Sequence, residues 1–201
     1  MVGSRRNRDT PDPGSPGRSG VDDGRRVALI RGINVGKAKR VAMSDLRKLV
    51  EDLGFAAVRT LLNSGNLVFT AAGTIPAENG SRIEEELAAR TGVSARVTVL
   101  TATELATVVT DNPLLGVAGN PSRLLVAFLA NPSELPRLGP LAEREWAPEA
   151  LAVGSRVAYL WCPDGVLASP LHRAVSRVLG DAVTARNWAT VCKLDALGRA
   201  S

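Results

Sequence analysis

The chain is short of the residues that usually announce a chemistry. It has one histidine and two cysteines among 201 residues. A Ser-His-Asp or Cys-His mechanism would have to use His172, and nothing around Ser169-Pro170-Leu171-His172 suggests one. Cys162 and Cys192 are too few for a disulfide framework and lack partners at metal-ligand spacing, so they read as reduced, mostly buried thiols. Without clustered Asp, Glu, His or Cys, no metal or other cofactor is expected. Aromatics are 3% of residues, and Phe69, Phe128 and Tyr159 fall at core positions, which leaves little for stacking on nucleic-acid bases. No apolar run approaches the roughly 20 residues of a membrane helix, so no membrane partner is expected. The first 26 residues hold no apolar block of a secretory signal, and the expected compartment is the cytoplasm.

Positive charge is present but thin. The net charge is +5. Residues 1–26 hold six arginines and four aspartates, and the remainder is only mildly basic. That is not the dense field of a dedicated nucleic-acid binder. The excess concentrates in Arg31-Gly-Ile-Asn-Val-Gly-Lys-Ala-Lys-Arg40, which contains no acid. Lysine is scarce, and of Lys37, Lys39, Lys48 and Lys193, two lie in this loop. A compact ammonium is a common phosphate ligand.

Residues 1–25 are rich in glycine, proline, serine and arginine. They bury too little to offset their ordering entropy and should remain disordered. Two similar passes follow, over residues 26–112 and 113–201. In the first, 27–33 reads as a strand. Leu46, Leu49, Val50 and Leu53 then mark a helix, with Ser44 as N-cap and Gly54 as its stop. Two strands, 58–62 and 67–71, flank the turn Asn63-Ser-Gly-Asn66. A helix over 81–90 and a strand over 95–100 complete β-α-β-β-α-β. Thr101-Ala-Thr-Glu104 is a capping box opening a short connecting helix that Asp111-Asn112-Pro113 ends.

In the second pass, 123–130 is a buried strand and 135–146 a proline-interrupted helical segment. Strands follow at 151–153 and 157–162, then a helix from Ser169-Pro170 to Gly180. An extended piece over 182–185 leads into a last helix through Leu197. The expected class is α+β, with two ferredoxin-like halves of antiparallel sheet and a C-terminal helix.

Three polar motifs stand out. In the basic loop, Arg31, Asn34, Lys37, Lys39 and Arg40 are anion donors, and the glycines permit close approach, although the spacing is not that of a Walker A loop. Ser64-Gly-Asn66 adds two more polar side chains. In Thr184-Ala-Arg-Asn-Trp-Ala-Thr-Val-Cys-Lys193, Asn187 is a candidate cap. Arg186, Thr190 and Lys193 share a face if Arg186 lies in the first helical turn. Each motif alone is also ordinary structural chemistry: a solvated loop, a tight hairpin turn, a capped amphipathic helix.

Taken together, 28–36, 43–47, 53–55, 64–66 and 184–188 with Thr190 and Lys193 resemble the DUF1697 family, a bacterial family of unknown function. The resemblance spans about residues 27–197. It implies a compact α+β protein of two related halves and no known activity, cofactor or substrate. Lys37 stands where the family commonly has a second glycine, which shifts weight from backbone amides to side chains. Ala42, Leu61 and Ala189 depart from a common proline, aromatic and asparagine.

The donors Arg31, Asn34, Lys37, Ser64, Asn66, Arg186, Asn187 and Lys193, with hardly a carboxylate among them, suit a small phosphorylated or nucleotide-like anion. The alternatives are a single-stranded nucleic-acid module, and a structural or interaction protein in which the motifs serve packing and turns. The sequence names no reaction and no oligomeric state.

Overall fold

A computed structural model of the chain describes residues 23–34 and 40–200. The first half runs β1 (Arg25–Arg31), α1 (Met43–Asp52), β2 (Ala56–Leu61), β3 (Asn66–Thr70), α2 (Pro76–Thr91) and β4 (Arg96–Thr101). The connector α3 (Ala102–Thr110) follows. The second half runs β5 (Leu124–Leu129), a 3-10 stretch (Pro132–Leu138), α4 (Gly139–Ala142), β6 (Ala150–Val153), β7 (Val157–Trp161), α5 (Pro170–Leu179) and β8 (Val183–Asn187). The last helix is α6 (Trp188–Arg199). The strand orders are β2-β3-β1-β4 and β6-β7-β5-β8, all pairs antiparallel. Each half therefore repeats one ferredoxin-like order, as the sequence pattern predicts. No helix among the described residues is long and apolar enough to cross a membrane.

Successive strand residues face opposite sides of a sheet. In β1, Ala28 and Ile30 pack with Leu46, Leu49 and Val50 of α1 and with Ile83 and Leu87 of α2. Val27 and Leu29 face the other way. They meet Leu105 and Val108 of α3, Val191 and Leu194 of α6, and the inner face of the second sheet at Val126, Phe128 and Tyr159. The outer face of that sheet, through Leu125, Ala127, Leu129 and Leu160, carries Leu171, Val175 and Leu179 of α5. The helices α3 and α6 are thus packed between two sheets, and both sheets are covered on both faces. This is why β5 reads as a continuous apolar run instead of an alternating one.

Several boundaries differ from expectation. The first strand starts at Arg25, because Asp23 and Arg25 already pair and Ala71 N–H bonds the Gly24 carbonyl. Ala42, not Ser44, is the N-cap of α1, and the Ser44 hydroxyl turns to Asp45. Helix α2 begins at Pro76, five residues before the expected start. The added turn contains Asn79 and Gly80, both poor helix formers. Asn79 is buried, with Nδ2 donating to the Thr74 hydroxyl at 2.7 Å. A Cβ on Gly80 would lie 3.0 Å from the Val97 carbonyl, so glycine lets the helix approach β4. The 135–146 segment is a 3-10 stretch followed by four helical residues, since Pro132, Pro136 and Pro140 each lack a ladder N–H. The extended piece before the last helix is a full strand, β8, and runs to Asn187.

The turn between β2 and β3 depends on one glycine. Gly65 has φ +73°, and a Cβ there would lie 2.8 Å from Ile30 Cβ and 2.9 Å from Ile33 Cδ1. Gly73 has the same φ with nothing within 4 Å. Gly73→Ala should therefore cost only the left-handed strain, about 1 kcal/mol. Gly65→Ala should cost about 2–4 kcal/mol, because overpacking of the core adds to that strain. Urea unfolding of the two variants measures the difference, and equal losses would remove the packing argument.

Candidate functional site

The three polar motifs meet where the ends of β1 and β3 face β8. Along β8, Thr184 and Arg186 share the face turned toward the first half. Arg186 Nε donates to Asn66 Oδ1 at 2.5 Å. Its Nη2 donates to the Ile30 carbonyl at 2.8 Å and the Ser64 carbonyl at 3.0 Å, and its Nη1 to the Ala185 carbonyl at 2.8 Å. Asn66 is not a turn residue but opens β3, fully buried. Its Nδ2 donates to the Leu61 carbonyl at 3.0 Å and the Ser64 hydroxyl at 2.9 Å. Among the described residues no carboxylate touches Arg186. Burial pushes its guanidinium down to about 10, which still leaves it protonated at neutral pH. The charge is held by one amide oxygen and three carbonyl dipoles.

Arg31 reaches the opposite way. Its Nη1 donates to the Gly180 carbonyl at 2.6 Å and the Val183 carbonyl at 2.8 Å, and Nη2 pairs with Asp181 at 3.1 Å. Each half thus sends at least one arginine into backbone carbonyls of the other. The Asp181 carboxylate is 90% exposed, so the ion pair itself adds little. The carbonyl bonds carry the contact. Further ties are Arg25 Nη1 to the Gly198 carbonyl at 3.0 Å, Tyr159 Oη to the Val108 carbonyl at 2.8 Å, and the Arg156–Glu104 pair.

Asn34 faces a different space. Its Nδ2 donates to the carbonyls of Val41 and Asn63, both at 2.9 Å, and its Oδ1 accepts from Val41 N–H at 2.8 Å. It lines a cleft of about 480 Å³ with Arg40, Val41, Ala42, Met43 and Asn63. Helix α1 starts there without a side-chain cap. Lys37 and Lys39 lie outside the described residues. A second cleft, of about 500 Å³, is lined by Arg31 and Arg96 but also by Glu84, Glu85 and Asp181.

The remaining candidates separate. Asn187 caps α6, accepting from Thr190 N–H at 2.9 Å. Lys193 is exposed, whereas Thr190 is buried. Arg186 belongs to β8 and not to the first helical turn, so the expected stripe of Arg186, Thr190 and Lys193 does not form. The His172 ring is held below its ordinary value by burial and by neighbouring Arg173. Cys162 is fully buried and Cys192 partly so, and burial pushes both thiols up. Among the described residues no group of three His, Cys, Asp or Glu is placed to hold a metal ion. The Gly180 and Val183 acceptors and the Asp181 contact were not read from the sequence. Only Asp181 had a side chain that could have signalled them.

Removing the Arg186 fork strands Asn66 Oδ1 and the Ile30 and Ser64 carbonyls. Arg186→Met should cost about 2–4 kcal/mol in urea unfolding. Arg186→Lys should recover less than half of that, since a point ammonium cannot reproduce the fork. Full recovery by lysine would show that charge, not geometry, is what matters there.

A family model described as "Protein of unknown function (DUF1697)" matches residues 24–159. Among solved structures, one described as the conserved bacterial protein SP0830 from Streptococcus pneumoniae is similar at a TM-score of 0.72 and 22% identity. The match covers 87% of this chain and 98% of that one. At that identity the likeness speaks for the fold. No curated protein matches the chain.

Proposed function

This chain belongs to the DUF1697 family, and on that premise we propose that it binds a small phosphorylated or nucleotide-like anion in the cleft at the start of α1. One observation carries the reading: among the described residues, Arg40 is the only ionisable side chain lining that cleft. It is exposed and has no hydrogen-bond or ion-pair partner among the described residues. The uncapped start of α1 adds backbone N–H groups and the positive end of the helix dipole. Lys37 and Lys39 precede Arg40 in the sequence and extend the same charge. The cleft lined by Arg31 and Arg96 suits an anion less well, because three carboxylates line it, and a third cleft, beside Arg25 and Arg59, holds only about 120 Å³.

In this reading the polar residues divide by role. Arg40, with Lys37, provides attraction, and Asn34 shapes the wall. Arg31, Asn66 and Arg186 have donors engaged within the protein, the Ser64 hydroxyl accepts from Asn66, and together they hold the frame. Asn187 is a helix cap, and Lys193 stands on the exposed face of α6. The nucleic-acid alternative draws no support from the fold. Both faces of each sheet are covered, and Phe69, Phe128 and Tyr159 are buried.

The test is thermal unfolding with inorganic phosphate, AMP or ribose 5-phosphate. A ligand at about 100 times its dissociation constant should stabilise the protein by about 2.7 kcal/mol. Arg40→Glu should weaken binding at least tenfold and change ligand-free stability by less than about 0.5 kcal/mol. No stabilisation by any of the three compounds would sink the reading.

A further inference from the structure

Two consecutive carbonyls of the turn 62–65 are held from opposite sides. The Asn63 carbonyl accepts from Asn34 Nδ2 at 2.9 Å. The Ser64 carbonyl accepts from Arg186 Nη2 at 3.0 Å. Asn34 in turn is locked to Val41 by bonds in both directions, and both residues line the α1 cleft. On the other side the Gly65 carbonyl accepts from Ile30 N–H at 2.7 Å, and Ile30's own carbonyl accepts from Arg186. A continuous set of hydrogen bonds therefore runs from β8, through one turn, to the wall of the cleft.

The turn is also strained. Leu62 sits at φ +59° with its side chain 52% exposed, and Asn34 at φ +57°. A bulky residue persists in the left-handed region only where its surroundings over-determine it. Leu62 gains little from burial, so the bonds on the following carbonyls are what hold it.

The geometry points to Arg186 as a positioning residue for the cleft. It acts through the turn 62–65 to fix Asn34 and Val41 from across the boundary between the halves, so that seating of β8 and the shape of the cleft are linked. The ligand consequence rests on the anion-binding reading above, whereas the mechanical link stands apart from it. By reciprocity, whatever tightens one end must tighten the other.

Amide hydrogen exchange reads the link directly, because Val41 N–H reports on Asn34. In Arg186→Lys, exchange at Val41 should rise at least tenfold more than at Val175 in α5, which reports only on general stability. In Asn34→Ala, exchange at Ile30 should likewise outrun Val175. This second variant carries the test alone if Arg186→Lys does not fold. Exchange at Val41 and Ile30 that merely keeps pace with Val175 overturns the proposal. With inorganic phosphate as probe, Arg186→Lys should bind at least fivefold more weakly than the parent protein. Equal binding by both overturns the link and leaves the anion reading intact. No phosphate binding by the parent protein removes the anion reading, and the exchange rates still decide the link.

Discussion

The fold depends on an exchange of arginines between two similar halves. Arg186 and Arg31 each place a guanidinium among the other half's backbone carbonyls. A carbonyl cannot be removed by mutation or neutralised by pH, so this form of contact is insensitive to most changes in the partner's side chains. It is sensitive to backbone path. Arg186 needs Ile30, Ser64 and Asn66 within one fork's reach, which fixes the end of β1, the turn after β2 and the start of β3 together. Burying a cation without a carboxylate is costly unless its donors are matched. The matched set explains why this site tolerates a charge that burial opposes.

The second constraint is the shared middle layer. One ferredoxin-like sheet has a helix-covered face and an open face. Here the open faces of two such sheets are turned toward each other and filled by α3 and α6. The result is a larger common core than either half could build, at the cost of the surface on which related folds bind ligands. Any binding function is thereby pushed to the rim, where loops leave the sheets. The α1 cleft is such a rim position.

Much of the fold was legible because its signals are local. The β-α-β-β-α-β order, the capping box at Thr101-Glu104 and the turn through Asn63-Ser-Gly65 depend on short-range pattern and side-chain chemistry. The start of α2 was not legible, because Asn79-Gly80 is unfavourable locally and acceptable only against Thr74 and Val97. The placement of Arg186 failed for a related reason: Asn187 as a cap marks the helix start, yet the strand before it shows only in its pairing with β5. Of the three polar motifs, Arg186 meets Ser64 and Asn66, and Arg31 reaches the Val183 carbonyl at the start of β8. What residue types could not reveal is that their donors would face carbonyls, which every residue carries and no pattern distinguishes.

The central position of α6 has a consequence for how the chain reaches this state. The inner face of β1 is closed by a helix whose contact to it, Arg25 to Gly198, spans 173 residues. During synthesis β1 through β4 can pair and collect α1 and α2, and α3 can begin to cover Val27 and Leu29, but that face closes only once the polypeptide that forms α6 has left the ribosome. Contacts of that sequence separation form slowly. Over that interval part of the inner apolar face of the first sheet has no partner to pack against.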